Sequence, residues 1–405
     1  MLKRDRLVLA VTACGLLLAA ALTAQESDRD KFQVHGFLTQ AYADASFAEG
    51  GVSTPLASEL TLGIPEDGTT DYRFLALQFR YEITDKDIVI VQLSSRRLGD
   101  SPIQTVEDEI ELDWAFYERR LTENTSLKVG RVQIPLGIFN EIRDVGTILP
   151  FYRPSFVFYS EGSFTSETVD GILLSHTFFS ETDWSLDADV YYGEFDLIEA
   201  TSGFAEAPAV IARAEDAYGG QLWLNTPVLG LRFGAGFQQR DVTEGLEGVF
   251  RPVDGASDFD DYWFSVDAVF NKWVARAEWR EIEGVLDSPL FGFVSTATQT
   301  NSYAQLGYHF TDKIRLYVQA EYADIENVSS SFTRPQEFDD RRDYGIALNY
   351  LFSPNVVAKL EYHEYSDETG ILTPVFTPGG LRFEPGTIGT TGDGNYSILS
   401  LAVSF

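Results

Sequence analysis

The sequence predicts an all-β chain closed into one transmembrane antiparallel β-barrel of about 16 strands. Three observations lead there. Apolar and polar residues alternate at period two over runs of about ten residues. The connectors between those runs alternate between short turns and long polar loops. The chain also ends on such a run, Tyr396 to Phe405, with Leu399, Leu401, Val403 and Phe405 on one face.

Composition removes several other classes. Of 405 residues, 62 are acidic and 30 basic, for a formal net charge of −32. A phosphate backbone would repel such a chain, so no nucleic-acid partner is expected. A mean hydropathy of −0.10 is too low for a bundle of membrane helices. One Cys excludes a disulfide scaffold or a thiolate metal site, and no cofactor or metal is expected. Length alone suggests two or three soluble domains, but 30 Phe, 19 Tyr and 33 Gly argue for something else.

Residues 1–24 read as a cleaved export signal, leaving 25–405 as one barrel domain. Lys3, Arg4 and Arg6 precede the apolar stretch Leu7 to Leu22, and Leu22-Thr23-Ala24 offers a cleavage site. Val11-Thr12-Ala13-Cys14 loosely fits a lipidation box, but the apolar run continues past Cys14, where a lipoprotein turns polar.

The strands follow in order. The first is 31–46. Strands 71–83 and 88–98 are joined by Thr84-Asp85-Lys86-Asp87, and 108–121 and 126–139 by Thr122-Glu123-Asn124-Thr125. Ser180-Glu181-Thr182-Asp183 joins 167–180 to 184–195, and Thr226-Pro227-Val228-Leu229-Gly230 joins 214–226 to 230–241. Asn271-Lys272 joins 260–271 to 272–283, Thr311-Asp312-Lys313 joins 300–311 to 313–325, and Ser353-Pro354-Asn355 joins 340–353 to 354–366. The last strand is 393–405. Asn, Asp, Gly and Pro favour these turns because they supply the required backbone angles or local hydrogen bonds. Alternation is clearest where Ile314, Leu316, Val318, Ala320 and Tyr322 oppose Arg315, Gln319 and Glu321. Likewise Trp273, Ala275, Ala277 and Trp279 oppose Arg276, Glu278 and Arg280, and Leu360 and Tyr362 oppose Lys359, Glu361 and His363.

An even count with both termini on the short-turn rim lets an antiparallel barrel close without an edge. Short turns on one rim and long loops on the other form the outer-membrane arrangement. A soluble β-sandwich would alternate too. Against it, aromatics gather near the turns, as Trp114 with Phe116, Phe178 with Phe179, Phe270 with Trp273, and Tyr350 with Phe352, as interfacial girdles would.

The mature chain resembles the porin-like outer-membrane proteins of Gram-negative bacteria. The resemblance rests on Val34-His35-Gly36-Phe37-Leu38-Thr39-Gln40, on the stretch from Lys128-Val129-Gly130-Arg131 through Pro135-Leu136-Gly137 to Val145-Gly146, and on the terminal Phe405. It implies a channel for passive diffusion of small hydrophilic solutes and ions, a homotrimer, and one loop folded into the lumen as a constriction. By that resemblance the loop is 140–166, offering Glu141, Arg143, Asp144, Arg153, Glu161 and Glu167.

Such a barrel leaves an aqueous lumen whose lining sets size and charge preference. Expected inward bases are Arg80, Arg119, Arg232, Arg240, Arg276, Arg280, Arg315 and Lys359; expected inward acids are Glu111, Asp113, Glu278, Glu321 and Glu361. The register of Arg131 stays open, because Pro135 and Gly137 suggest a bend. Basic wall residues facing acidic loop residues would set a transverse field. Equally, such pairs would hold the loop down. The outward faces meet lipid, with Leu75, Leu77, Phe79 and Tyr81 as an example, and the acidic long loops would face lipopolysaccharide or simply water. Gly234 and Gly236 lie inside a strand, where they would leave lumen space.

Two further readings remain. Barrel enzymes exist, and His176 with Ser175, or His363 with Glu361, would be the pairs to nominate. A barrel whose loops plug the lumen would be structural or surface-binding.

Overall fold

The computed structural model describes residues 31–47, 64–65, 67–99, 110–159, 167–198, 210–246, 257–288, 293–329, 336–370, 373–377, 380–384, 389–391 and 393–405. The export segment 1–24, Glu161 and most of the acidic loops lie outside the described residues.

The wall begins with β1 (Phe32–Phe47), β2 (Thr69–Thr84), β3 (Asp87–Leu98), β4 (Glu111–Thr122) and β5 (Thr125–Gln133). It continues with β6 (Thr168–Phe178), β7 (Ser185–Ile198), β8 (Val210–Asn225), β9 (Leu231–Leu246) and β10 (Ser257–Phe270). Then come β11 (Trp273–Ser288), β12 (Phe293–His309), β13 (Ile314–Ser329), β14 (Gln336–Ser353) and β15 (Val356–Gly370). Beyond β15, the strands β16 (Thr373–Thr377) and β17 (Gly380–Glu384) form a hairpin, and β18 (Gly389–Thr391) pairs with the end of β15. The last strand, β19 (Gly394–Ser404), pairs with β15 on one side and β1 on the other. All pairings are antiparallel between successive strands, so 16 strands close on themselves without an edge. The seam is reinforced by Phe405, whose N–H donates to Gly36 O at 3.0 Å while Gly36 N–H donates to Phe405 O at 2.9 Å.

Most strands run further into the long loops than alternation suggested, as β9 to Leu246 and β12 from Phe293 show. Ladder pairing satisfies the backbone whatever the side chains are, so polar stretches stay paired. The opposite happens in β5. It stops at Gln133, short of the expected 139, because Pro135 lacks an N–H and Gly137 turns into the left-handed region at φ +60°.

The outer face carries two aromatic bands. Phe178, Trp184, Phe270, Trp273, Tyr350 and Phe352 are exposed near the short turns; Tyr192, Phe237, Tyr262, Phe264, Tyr344 and Tyr362 are exposed nearer the loops. At a rise of about 3.3 Å per residue and a tilt of about 40°, Tyr262 and Phe270 stand about 20 Å apart vertically, close to a hydrocarbon thickness. Trp114 and Phe116 do not join the bands; both point inward and are buried. A bulge in β4 explains this. Gln92 pairs with Trp114 while Leu93 pairs with Leu112, so Asp113 is the extra residue and the side-chain parity flips beyond it.

Val266 sits outward on β10 between the two bands and is exposed. Val266→Arg should cost about 2–4 kcal/mol of barrel stability in a bilayer. Urea melts of protein folded into vesicles read this out; an unchanged midpoint would place Val266 away from lipid.

Candidate functional site

Between β5 and β6 the chain enters the lumen. A 3-10 turn spans Asn140–Ile142, and a single helical turn, α1, spans Phe156–Tyr159. The segment leaves the wall where Ile134 N–H donates to Glu167 O at 2.9 Å, so both ends of the loop are pinned together. Asn140 Nδ2 reinforces that root by donating to Ile134 O at 2.8 Å and Glu167 O at 3.1 Å.

The core of the molecule lies inside the barrel. Ile134, Leu136, Ile138, Phe139, Phe158 and Tyr159 from the loop pack against Trp114, Phe116, Tyr191, Trp223, Trp263 and Tyr303 from the wall. Gly236, expected to leave water space, instead makes room for an indole: a Cβ there would lie 2.2 Å from the Trp263 ring. A smaller cluster joins Tyr152 to Tyr72, Leu98, Tyr396 and Ile398 on the far side.

Buried wall acids hold the loop. Glu278 on β11 is 2% exposed. One carboxylate oxygen accepts from Ile138 N–H at 2.9 Å and Ser265 Oγ at 2.5 Å; the other accepts from Tyr303 Oη at 2.6 Å and from Tyr159 Oη. Tyr159 Oη also accepts from Ile138 N–H at 2.7 Å and Phe139 N–H at 3.0 Å. Only glycine fits at 137, since a Cβ would stand 2.4 Å from Tyr159 Oη and 2.5 Å from Glu278 Oε1. Glu321 on β13 accepts from Ser155 Oγ at 2.9 Å and Val157 N–H at 3.1 Å, at the start of α1. Bases hold loop carbonyls: Arg280 donates to Phe158 O at 2.8 Å and Lys359 to Phe151 O at 2.6 Å. Arg280 is itself balanced by Asp261, its Nε 2.9 Å from Oδ1 and its Nη2 2.5 Å from Oδ2.

The expected lining residues therefore separate into groups. Arg80, Arg276 and Arg315 face inward below the loop, and Arg276 pairs with Asp267 at 3.0 Å. Arg240, Arg280, Lys359, Glu278, Glu321 and Glu361 face inward too but are buried and meet little water; Arg280, Lys359, Glu278 and Glu321 fasten the loop, whereas Arg240 pairs with Asp261 and Glu361 faces His363. At Glu278 and Glu321 the wall presents acids, which accept from loop N–H and hydroxyl groups and so hold the loop down. Glu111 and Asp113 lie on the inner face before the bulge. Arg119, expected inward, lies past the bulge and points outward, pairing with Asp87 at 3.0 Å. Arg131 also points outward and makes a two-pronged pair with Asp170, both contacts at 2.9 Å.

Of the loop charges, Glu141 stands exposed in the lumen. Arg143 turns back on the loop, donating to Tyr159 O at 3.1 Å and Asn140 Oδ1 at 3.2 Å. Asp144 is buried and accepts from Gln92 at 2.9 Å and Arg96 at 3.1 Å. Its carboxylate gathers with those of Asp113 and Glu167 within 4.8 Å; Arg96 and Arg143 stand at ion-pair distance from the group, and Gln92 donates to Asp113 and Asp144. Arg153 stacks over Phe156 at 4.6 Å.

A cavity of about 60 Å³ remains between the loop and β1 to β3, lined by Thr39, Phe74, Arg96, Leu98, Arg143, Asp144, Gly146, Tyr152, Arg153 and Pro154. Sequence reasoning missed Arg96, Tyr152 and Thr39. Alternation could place Arg96 on a face, but nothing local showed that the loop would lie against it.

The pairs nominated for hydrolysis do not form a catalytic unit. Ser175 and His176 are neighbours on one strand, and Ser175 donates to Asp189 at 2.5 Å while His176 bonds Thr125 at 2.8 Å. His363 lies between Asp343 at 2.7 Å and Glu361 at 3.6 Å, stacked on Tyr396, with no nucleophile beside it among the described residues.

No family model and no curated protein sequence matches the chain. Solved structures do. The trimer form of in-vitro folded OmpT, an outer membrane protein of Vibrio cholerae, aligns with a TM-score of 0.52 at 12% identity, over 92% of this chain and 99% of that one. The outer membrane channel DcaP of Acinetobacter baumannii gives 0.55 at 10% identity, over 92% and 97%. An anion-selective porin from Comamonas acidovorans gives 0.51 at 10%, over 92% and 99%. At these identities the likeness establishes the fold, which is that of outer-membrane porins.

Proposed function

We propose that the protein is a porin of the outer membrane, a channel for passive diffusion of small hydrophilic solutes and ions, exported by way of residues 1–24. The observation that carries this reading is a closed 16-strand barrel with one wall loop fastened inside its lumen. A barrel of that size is too wide for its own side chains to fill, so an inward loop is the element that sets the passage. The solved structures of the same fold are described as a channel and a porin.

On this reading the passage would run along the cavity beside β1 to β3, where Arg96, Arg143 and Arg153 gather. Arg153→Glu reverses a charge there and should move the reversal potential under a salt gradient towards cation selectivity. An unchanged potential would remove the cavity from the conduction path.

One observation favours the plugged-barrel alternative. All 16 wall strands contribute inward residues that are buried, and an apolar cluster together with paired buried charges fills much of the lumen. The porin reading therefore entails a small conductance, and a folded barrel with none would be a plug.

A homotrimer is part of the proposal, with the outward face of β2 to β6 as the contact. In place of the upper aromatic band, that sector carries Arg73 and Arg97 on Asp71, and Arg131 on Asp170. Lipid-facing interfaces take aromatics, whereas paired charges suit a protein neighbour. A trimer form is described for one structure of this fold. Arg131→Glu, which sets two acids side by side, should shift the protein from trimer to monomer on native gels; an intact trimer would place the contact elsewhere.

A further inference from the structure

We propose that the luminal cavity beside β1 to β3 is a binding site for a small oxyanion, a carboxylate or inorganic phosphate. The inference deepens the channel reading and rests on it for its physiological sense, while the site itself stands on local geometry.

The arginines around the cavity are unequally engaged, although Asp113, Asp144 and Glu167 cluster beside them. Arg96, Arg143 and Arg153 line it against one lining acid, Asp144. Asp144 is engaged by Arg96 at 3.1 Å, and the nearby Glu167 lies 3.8 Å from Arg96 and 3.7 Å from Arg143. The carboxylates thus serve two of the three bases. Arg153 has no carboxylate within ion-pair distance among the described residues; its guanidinium rests on the Phe156 ring.

Two donors are also left over. Arg153 Nη2 and Tyr152 Oη are both buried without a hydrogen-bond partner. They belong to adjacent residues in the wall of one cavity. A buried donor left unpaired costs about 1–3 kcal/mol, and more when charged, so two in one place call for an acceptor. The acceptor must be small, since the space is about 60 Å³, and negative charge suits it, since Glu321 and Asp343 act on Arg153 only from beyond ion-pair distance. Thr39 adds a hydroxyl to the same wall. An oxyanion offers what these groups lack: several acceptor oxygens and a charge on one compact centre. Burial of Tyr152 among Tyr72, Leu98 and Tyr396 keeps the surroundings weakly polar, which strengthens such a contact.

The test is equilibrium binding to the whole folded barrel in detergent, by isothermal titration. Sodium acetate and sodium phosphate serve as probes at an ionic strength held constant with sodium chloride. We expect saturable binding of at least one probe, and which one binds distinguishes a carboxylate site from a phosphate site. Affinity should fall about tenfold or more in Arg153→Gln and several-fold in Tyr152→Phe. No saturable binding of either probe to the native barrel would overturn the proposal, as would unchanged affinity in Tyr152→Phe and Arg153→Gln. If Arg153→Gln does not fold, Tyr152→Phe decides alone. Binding in detergent needs no conduction, so a barrel that binds an oxyanion yet gives no current would leave this site standing and remove the channel reading.

Discussion

Excising the inward loop is expected to raise single-channel conductance several-fold. Ile134 and Glu167 are already joined by a backbone hydrogen bond of 2.9 Å at the loop root. A short glycine-containing turn replacing 136–165 would therefore continue the β5–β6 pairing as an ordinary hairpin. The excision removes Leu136, Ile138, Phe139, Phe158 and Tyr159 from the luminal core. What remains is a barrel with an open lumen, and ionic current grows with the open cross-section. The same change should lower thermal stability, because Trp223, Trp263 and Tyr303 lose their packing partners. Conductance equal to that of the intact chain would mean that the loop does not restrict the passage.

Glu278→Ala is the point substitution with the largest expected effect. Four donors converge on that carboxylate: Ile138 N–H, Ser265 Oγ, Tyr159 Oη and Tyr303 Oη. Removing the acceptor leaves each to find another partner or go without. At about 1–3 kcal/mol for each buried group left unpaired, the loss amounts to several kcal/mol. It falls on the attachment of the loop, since the barrel ladders are untouched. Noisy, enlarged current steps and a lowered melting temperature should appear together. Glu278→Gln keeps one acceptor oxygen and a similar volume, so it should fall between the native protein and the alanine variant. Quiet native-sized steps in Glu278→Ala would show that other contacts fasten the loop.

Much of the fold was legible because strand alternation is local. Ile314 to Tyr322 and Trp273 to Arg280 announce both the strand and its two faces, and the structure keeps those faces. The turns were legible because Asn, Asp, Gly and Pro have local preferences. Three features were not legible, each for a physical reason. The bulge at Asp113 adds one residue to β4 and reverses every later face in that strand, which moves Arg119 outward and Trp114 and Phe116 inward. The end of β5 was misplaced because the alternation of Ile134, Leu136 and Ile138 imitates a strand, while Pro135 and Gly137 forbid one. The third concerns what covers a face. Alternation placed Arg280, Lys359 and Glu321 inward, but the loop that buries them comes from far along the chain. Whether an inward residue meets water or protein is decided by that long-range contact. The same gap hid the cavity, since Arg96 and Tyr152 meet only once the loop folds in.

Planar-bilayer recording of the purified, folded protein tests the central claim most directly, namely that a wall loop narrows a water-filled barrel without sealing it. The account predicts small, uniform, stepwise increases in current from the native chain and larger steps once the loop is excised. A folded native barrel that inserts yet gives no steps, while the loop-excised barrel conducts, would contradict it and identify the loop as a plug.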